Sequence, residues 1–270
     1  MKKRIIAAAA LLPLLLVVVL VLPLIYTAIL FGLMAAIGAY ELLNGTGLVK
    51  KPRLIAYAMV MAFLSAMPCS LPYLTLLWKP VLLIFMGLLF GELLISRGKQ
   101  PFEQVAITAA AGAMIPYFLT ALVRMHGWNN GRFFILLPFV IAFLSDTGAY
   151  FAGRAFGKHK LAPIISPNKT VEGVFGGVIG AVVGVLIYCL VLQIGFGFHV
   201  NYWYVLVYGI LGSLGAVFGD LSFSAIKRQT GIKDYGNLIP GHGGILDRFD
   251  SMIIVAPITE ILMLWIPLVV

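Results

Sequence analysis

The residues best suited to chemistry in this chain of 270 residues are its carboxylates, and every aspartate lies in the second half: Asp146, Asp220, Asp234, Asp247 and Asp250. Asp220 sits late in the apolar run GSLGAVFGDLSFSAIKR. In lipid, an ionisable group inside such a run costs at least about 2.5–3.5 kcal/mol and by default marks function. On a helix Asp220, Ser224 and Lys227 share one face; the plainer alternative is a structural Asp220–Lys227 ion pair. Asp146 repeats the pattern in FLSDTGAYFAGR, with Tyr150, Gly153 and Arg154 on its face. Asp247 and Asp250 stand three apart in DRFD. Carboxylates gathered beside cations suit Mg²⁺, which takes one or two of them plus substrate phosphates. Two metals about 3.5–4 Å apart are a common way to stabilise phosphoryl displacement. Between these acids lies Pro240-Gly241-His242-Gly243-Gly244, a turn whose backbone N–H groups can nest an anion. It is neither a P-loop nor G-x-G-x-x-G, and alone it reads equally well as a flexible turn. Lys227, Arg228, Lys233 and Arg248 around it shift the balance toward phosphate. His242 can act as a base or donate to phosphate, but a single histidine does not decide for either.

The elements that must position these residues are membrane helices. The chain is 61% hydrophobic and 11% charged, with a mean hydropathy of +1.04. A soluble domain has about 25% charged residues, and a core cannot absorb this much apolar surface. Spans need about 20 apolar residues, and nine candidates are present: 5–22, 24–44, 54–70, 74–95, 104–124, 133–153, 172–195, 203–226 and 250–269. The expected fold is all-α, a polytopic transmembrane helical bundle. The first segment, after Met1-Lys2-Lys3-Arg4, resembles a signal peptide without a cleavage site and reads as a retained anchor.

Cytoplasmic loops carry the excess of Lys and Arg. With a cytoplasmic N-terminus, 16 of the 19 basic residues fall inside, and only Lys79, Arg124 and Arg132 fall outside. The net charge of +9 is dispersed over five loops, which fits anionic headgroups and argues against a nucleic-acid partner. Cys69 and Cys189 lie in different apolar segments without metal spacing and read as packing residues. Gly176, Gly180 and Gly184, and likewise Gly215 and Gly219, have the four-residue spacing that lets helices approach closely. Residues 1–131 therefore read as scaffold and 132–270 as the catalytic domain. Its two cytoplasmic loops, 153–173 and 227–250, are long enough to be functional. Replacing Lys50 or Lys51 is expected to leave catalysis little changed.

From Ser224 to Asp250 the chain reads SAIKRQTGIKDYGNLIPGHGGILDRFD. This resembles the signature of the phosphatidate cytidylyltransferases (CDP-diacylglycerol synthases), S-x-x-K-R-x4-K-D-x-G-x-x-x-P-x-H-G-G-x-x-D-R-x-D, with no departure. The stretch from Ser145 to Gly173 resembles a second segment of that family, whereas residues 1–131 resemble it only in hydropathy. The resemblance implies a Mg²⁺-dependent reaction of CTP with phosphatidic acid, giving CDP-diacylglycerol and pyrophosphate. It takes place among membrane lipids at the cytoplasmic face of the inner membrane. It assigns Asp220, Asp247 and Asp250, with Asp146 as a further or supporting ligand, to one or two cations, the second of which is divalent or monovalent. Lys227, Arg228, Lys233 and Arg248 then bind phosphates, the Gly241–Gly244 backbone with His242 cradles the triphosphate, and Ser224 orients a ligand. Lys169 and Arg154 hold the lipid phosphate or pyrophosphate. The resemblance also suggests a homodimer. Two alternatives stay open: another CTP-dependent lipid kinase and an ion-coupled transporter. The acids lie at the inner ends of their helices and not at mid-membrane, which disfavours transport.

Overall fold

A computed structural model describes residues 13–238 and 243–268. It is mostly helical, and among the described residues seven helices are long and apolar enough to cross a membrane. They are α1 (Leu24–Gly45), α2 (Pro52–Ser70), α3 (Thr75–Ile95), α4 (Phe102–His126), α5 (Gly131–Phe156), α6 (Val171–Phe196) and α7 (Tyr202–Gln229). They correspond to the second through eighth expected spans. The expected first span, 5–22, lies partly outside the described residues, which are helical over 13–20. The expected ninth is shorter than anticipated: a single turn, Leu246–Phe249, is followed by α8, Met252–Trp265, of 14 residues. The bundle also contains one small sheet, which the all-α expectation did not include.

The chain divides into two compact units. One combines the residues up to Arg132 with Gln229–Phe249, so the Gly-rich loop belongs with α1–α4. α1 closes in a π-turn, Glu41–Gly45, and α4 contains another, Ala110–Met114. Within the latter, Gly112 lets α4 approach α2 and α3, since a Cβ there would lie 2.8 Å from Phe85 Cζ and 3.0 Å from Ala58 Cα. Within this unit Lys51 forms an ion pair with the buried Glu92 of α3, and Arg53 lies 3.8 Å from the same carboxylate.

The other unit spans Phe133–Arg228 and Asp250–Val270. Its centre is the α5–α6 pair. A Cβ on Gly180 would lie 2.4 Å from the Leu144 carbonyl oxygen, so the helices meet backbone to backbone, as the glycine spacing leads one to expect. Ser145 of α5 and Ser213 of α7 share a buried hydrogen bond of 2.8 Å. The other side of α6 is a stripe of exposed apolar residues, Phe175, Ile179, Ile187 and Ile194 among them, the surface that lipid would solvate.

The connection from α5 to α6 is an antiparallel hairpin, β1 (Lys160–Ala162) on β2 (Ser166–Thr170). The chain turns directly from β2 into α6, where Thr170 Oγ1 accepts from Gly173 N–H at 3.1 Å and caps the helix. Glu172 clasps the start of the hairpin, accepting from Lys158 and His159 N–H and meeting His159 Nδ1 at 2.6 Å. These contacts fix the direction of β2, and with it the residue that precedes the cap, Lys169.

Candidate active site

The expected site residues fall into two groups, one in each unit. In the α5–α8 unit, Lys169 reaches Asp220 of α7 with Nζ–Oδ2 at 2.5 Å. Asp220 also accepts from Ser224 Oγ, one turn on, at 3.1 Å. The helical face expected for Asp220 and Ser224 is therefore present, but the cation paired with Asp220 comes from the hairpin. Lys227 is buried, and its charge acts on Asp250. Asp146 of α5 and Asp250 both lie within electrostatic range of Asp220, and Asp146 also of Lys169.

Three carboxylates, on α5, on α7 and just before α8, thus lie within electrostatic range of one another beside two lysines. A cavity of about 540 Å³ opens beside them, with Asp146, Tyr150, Arg154, Asn168, Lys169 and Asp220 on its walls. Arg154 donates to Tyr150 Oη at 3.2 Å, one turn apart on α5. Arg228 donates through Nε to the Ile165 carbonyl at 3.2 Å, which ties the end of α7 to the hairpin. The sequence offered no signal for the cavity walls at Asn168 or Ser166, because the hairpin that presents them was not anticipated.

The second group lies on the Gly-rich loop. Asp247 Oδ2 accepts from the N–H groups of Tyr235, at 2.8 Å, and Gly244, at 3.0 Å, closing the loop on itself. Gly243 has φ +85°, a conformation that glycine adopts at little cost. The Gly244 N–H, expected to cradle phosphate, is thus engaged by Asp247. Lys233 and Arg248 are exposed. Gly241 and His242 lie outside the described residues. Glu41, to which the sequence assigned no role, accepts from the next two N–H groups of the loop, Ile245 and Leu246. A lone acid at the end of an early span was the available signal.

Among the described residues, no three His, Cys, Asp or Glu side chains are gathered closely enough to hold a metal ion unaided. The oxygen donors of Asp146, Asp220 and Asp250 nevertheless fit Mg²⁺, which keeps waters and substrate phosphates in its shell and needs only one or two carboxylates. A bound cation would add positive charge among carboxylates that lie within electrostatic range of one another.

A model of the cytidylyltransferase family matches residues 2–266, nearly the whole chain. The chain belongs to the cytidylyltransferase family. Among curated relatives, it is 48% identical over 136 residues to the phosphatidate cytidylyltransferase of Staphylococcus epidermidis, covering 50% of this chain and 51% of the relative. It is 48% identical over 138 residues to that of Staphylococcus saprophyticus, covering 51% and 52%. The enzyme of that name from Staphylococcus aureus is 46% identical over 136 residues, again 50% and 51%. The match spans about half the length of these relatives. Seven apolar helices in a cytidylyltransferase-family chain describe an integral membrane protein.

Proposed function

We propose that this chain is a phosphatidate cytidylyltransferase, joining CTP to phosphatidic acid with release of pyrophosphate. The observation that carries the reading is the cavity in which Asp146 and Asp220 face Lys169 and Arg154, in a chain of this family. A phosphatidate oxygen forms a new bond to the α-phosphorus of CTP, and the bond to the pyrophosphate oxygen breaks. The attacking oxygen is already anionic, so catalysis needs positioning and charge stabilisation and no strong base.

Lys169 and Arg154 bind the lipid phosphate or pyrophosphate at the cavity, and Ser224 keeps the Asp220 carboxylate oriented. Lys227, Arg228, Lys233 and Arg248 bind the triphosphate, together with the turn from Gly241 through His242 and Gly243 to Gly244. Asp146, Asp220 and Asp250 would hold one or two divalent cations, or one divalent and one monovalent. Asp247 joins that ligand set on the strength of the signature. When bound, Mg²⁺ supplies positive charge that offsets the charge of the phosphates.

The same reading places nine spans in the bacterial inner membrane, with the N-terminus and the site facing the cytoplasm and the protein a homodimer. The basic residues support that orientation, since 16 of 19 lie on one side of the expected spans. The decisive experiment gives detergent-purified protein Mg²⁺, phosphatidic acid and CTP labelled at the α or the γ position. Label from α in the lipid, with pyrophosphate released and no label from γ, is expected. Label from γ would make the protein a lipid kinase, and transfer of neither label would remove the enzyme reading.

A further inference from the structure

Glu41 is a buried acid that this reaction scheme leaves unused. It sits in the π-turn that ends α1 and is only 4% exposed. Its carboxylate meets the Gly-rich loop 204 residues further along the chain, with Oε1 accepting from Ile245 N–H at 3.0 Å and Oε2 from Leu246 N–H at 2.8 Å. Bonds from backbone N–H to an ionised carboxylate are among the stronger ones. π-turns, which insert one residue into a helix, occur frequently at functional sites.

The loop is built around this side chain. A Cβ on Gly236 would lie 2.5 Å from Glu41 Oε1, and one on Gly244 would lie 2.4 Å from the same atom. At both positions the three nearest atoms all belong to Glu41. Two glycines of the signature thus admit a carboxylate from α1, a need separate from any phosphate nest. Gly45 lies against the loop as well, since a Cβ there would be 2.2 Å from the Tyr235 carbonyl oxygen. Phe31 and Phe249 meet edge to face at 6.4 Å, so α1 holds the segment at both ends. Asp247 closes the same segment by accepting from Tyr235 and Gly244.

We propose that Glu41 is a positioning residue of the transfer reaction: by holding the backbone at 245 and 246 it presents Asp247 and the Gly243–Gly244 backbone to the nucleotide. Glu41 itself touches no substrate. The inference rests on the cytidylyltransferase reading and adds a residue from the half of the chain that looked like scaffold.

The test uses the full-length protein in detergent with Glu41→Gln, which keeps the shape but turns an amide NH₂ toward a backbone N–H. Hydrogen exchange over residues 243–249 should accelerate and the KM for CTP should rise, each by about tenfold for the loss of one charge-assisted bond. The KM for phosphatidate should stay unchanged. A fall in kcat with both KM values unchanged is the pattern of lost folded protein and would overturn the proposal, as would unaltered exchange.

Should Glu41→Gln fail to fold, Gly236→Ala carries the test. It should raise the KM for CTP and accelerate exchange over residues 243–249, because the three atoms nearest the added Cβ all belong to Glu41. An unchanged KM for CTP or unaltered exchange in a folded Gly236→Ala protein would refute the proposal. Absence of cytidylyl transfer in the unmodified protein would overturn the functional reading and this inference together, and needs no variant to be seen. Normal transfer with an inert Glu41→Gln overturns the inference alone.

Discussion

Asp220 holds Lys169 and Ser224 at once, so its replacement by asparagine removes a charge without emptying the space. With Asp220→Asn, cytidylyl transfer should fall by about 10²–10³-fold, the scale of one lost electrostatic contact in a preorganised site. The unfolding temperature should change little; activity within a few-fold of wild type would take Asp220 out of the site. Lys51 gives the opposite case. It was expected to matter little to catalysis, and the structure pairs it with Glu92, whose side chain is 7% exposed. Lys51→Ala leaves that carboxylate with Arg53 at 3.8 Å and the Tyr57 hydroxyl at 3.4 Å and should cost about 1–2 kcal/mol of stability. Lys50→Ala, on an exposed side chain, should cost less than about 0.5 kcal/mol. Thermal unfolding of the two variants side by side decides. Both residues were equally visible in the sequence as loop cations. Only the fold distinguishes them, because the partner of Lys51 lies 41 residues away.

At the scale of elements, the glycine-spaced α5–α6 pair is the part whose packing was most legible. Gly180→Ala would put a methyl group 2.4 Å from the Leu144 carbonyl and 3.2 Å from Gly148 Cα. Backbone cannot step aside as a side chain can, so the helices must separate, at a cost of more than about 2 kcal/mol. Gly195→Ala in the last turn of α6 meets nothing within 4 Å and should be neutral or stabilising by up to about 1 kcal/mol through helix propensity. Unfolding both variants in detergent tests the pair, and equal effects would refute backbone contact. The hairpin between these helices was less legible. Its strands are three and five residues long, too short to show an alternating pattern, and the loop read only as long and basic. Yet the hairpin selects the partner of Asp220. The sequence set Lys227 seven residues from Asp220 on one helix face, whereas β2, held by the Thr170 cap and the Glu172 clasp, brings in Lys169.

At the scale of the molecule, the orientation is open to a direct test. In a background with Cys69→Ala and Cys189→Ala, Lys158→Cys before α6 should react with an impermeant maleimide only from the cytoplasmic side. Asn201→Cys, after α6, should react only from the opposite side. The reverse pattern would invert the topology and move the site away from cytoplasmic CTP. By itself the sequence determined the membrane class, the places of the seven described spans and the acids and cations that could handle phosphate. These are local properties, set by apolar run length, by charge next to a run and by spacing along one helix. Only the tertiary structure decided which charges meet. It paired Asp220 with Lys169, turned Asp247 back onto its own loop, and carried Glu41 across 204 residues to Ile245. Such pairings depend on helix rotation and on how closely glycines let backbones approach. The pattern of one segment carries neither.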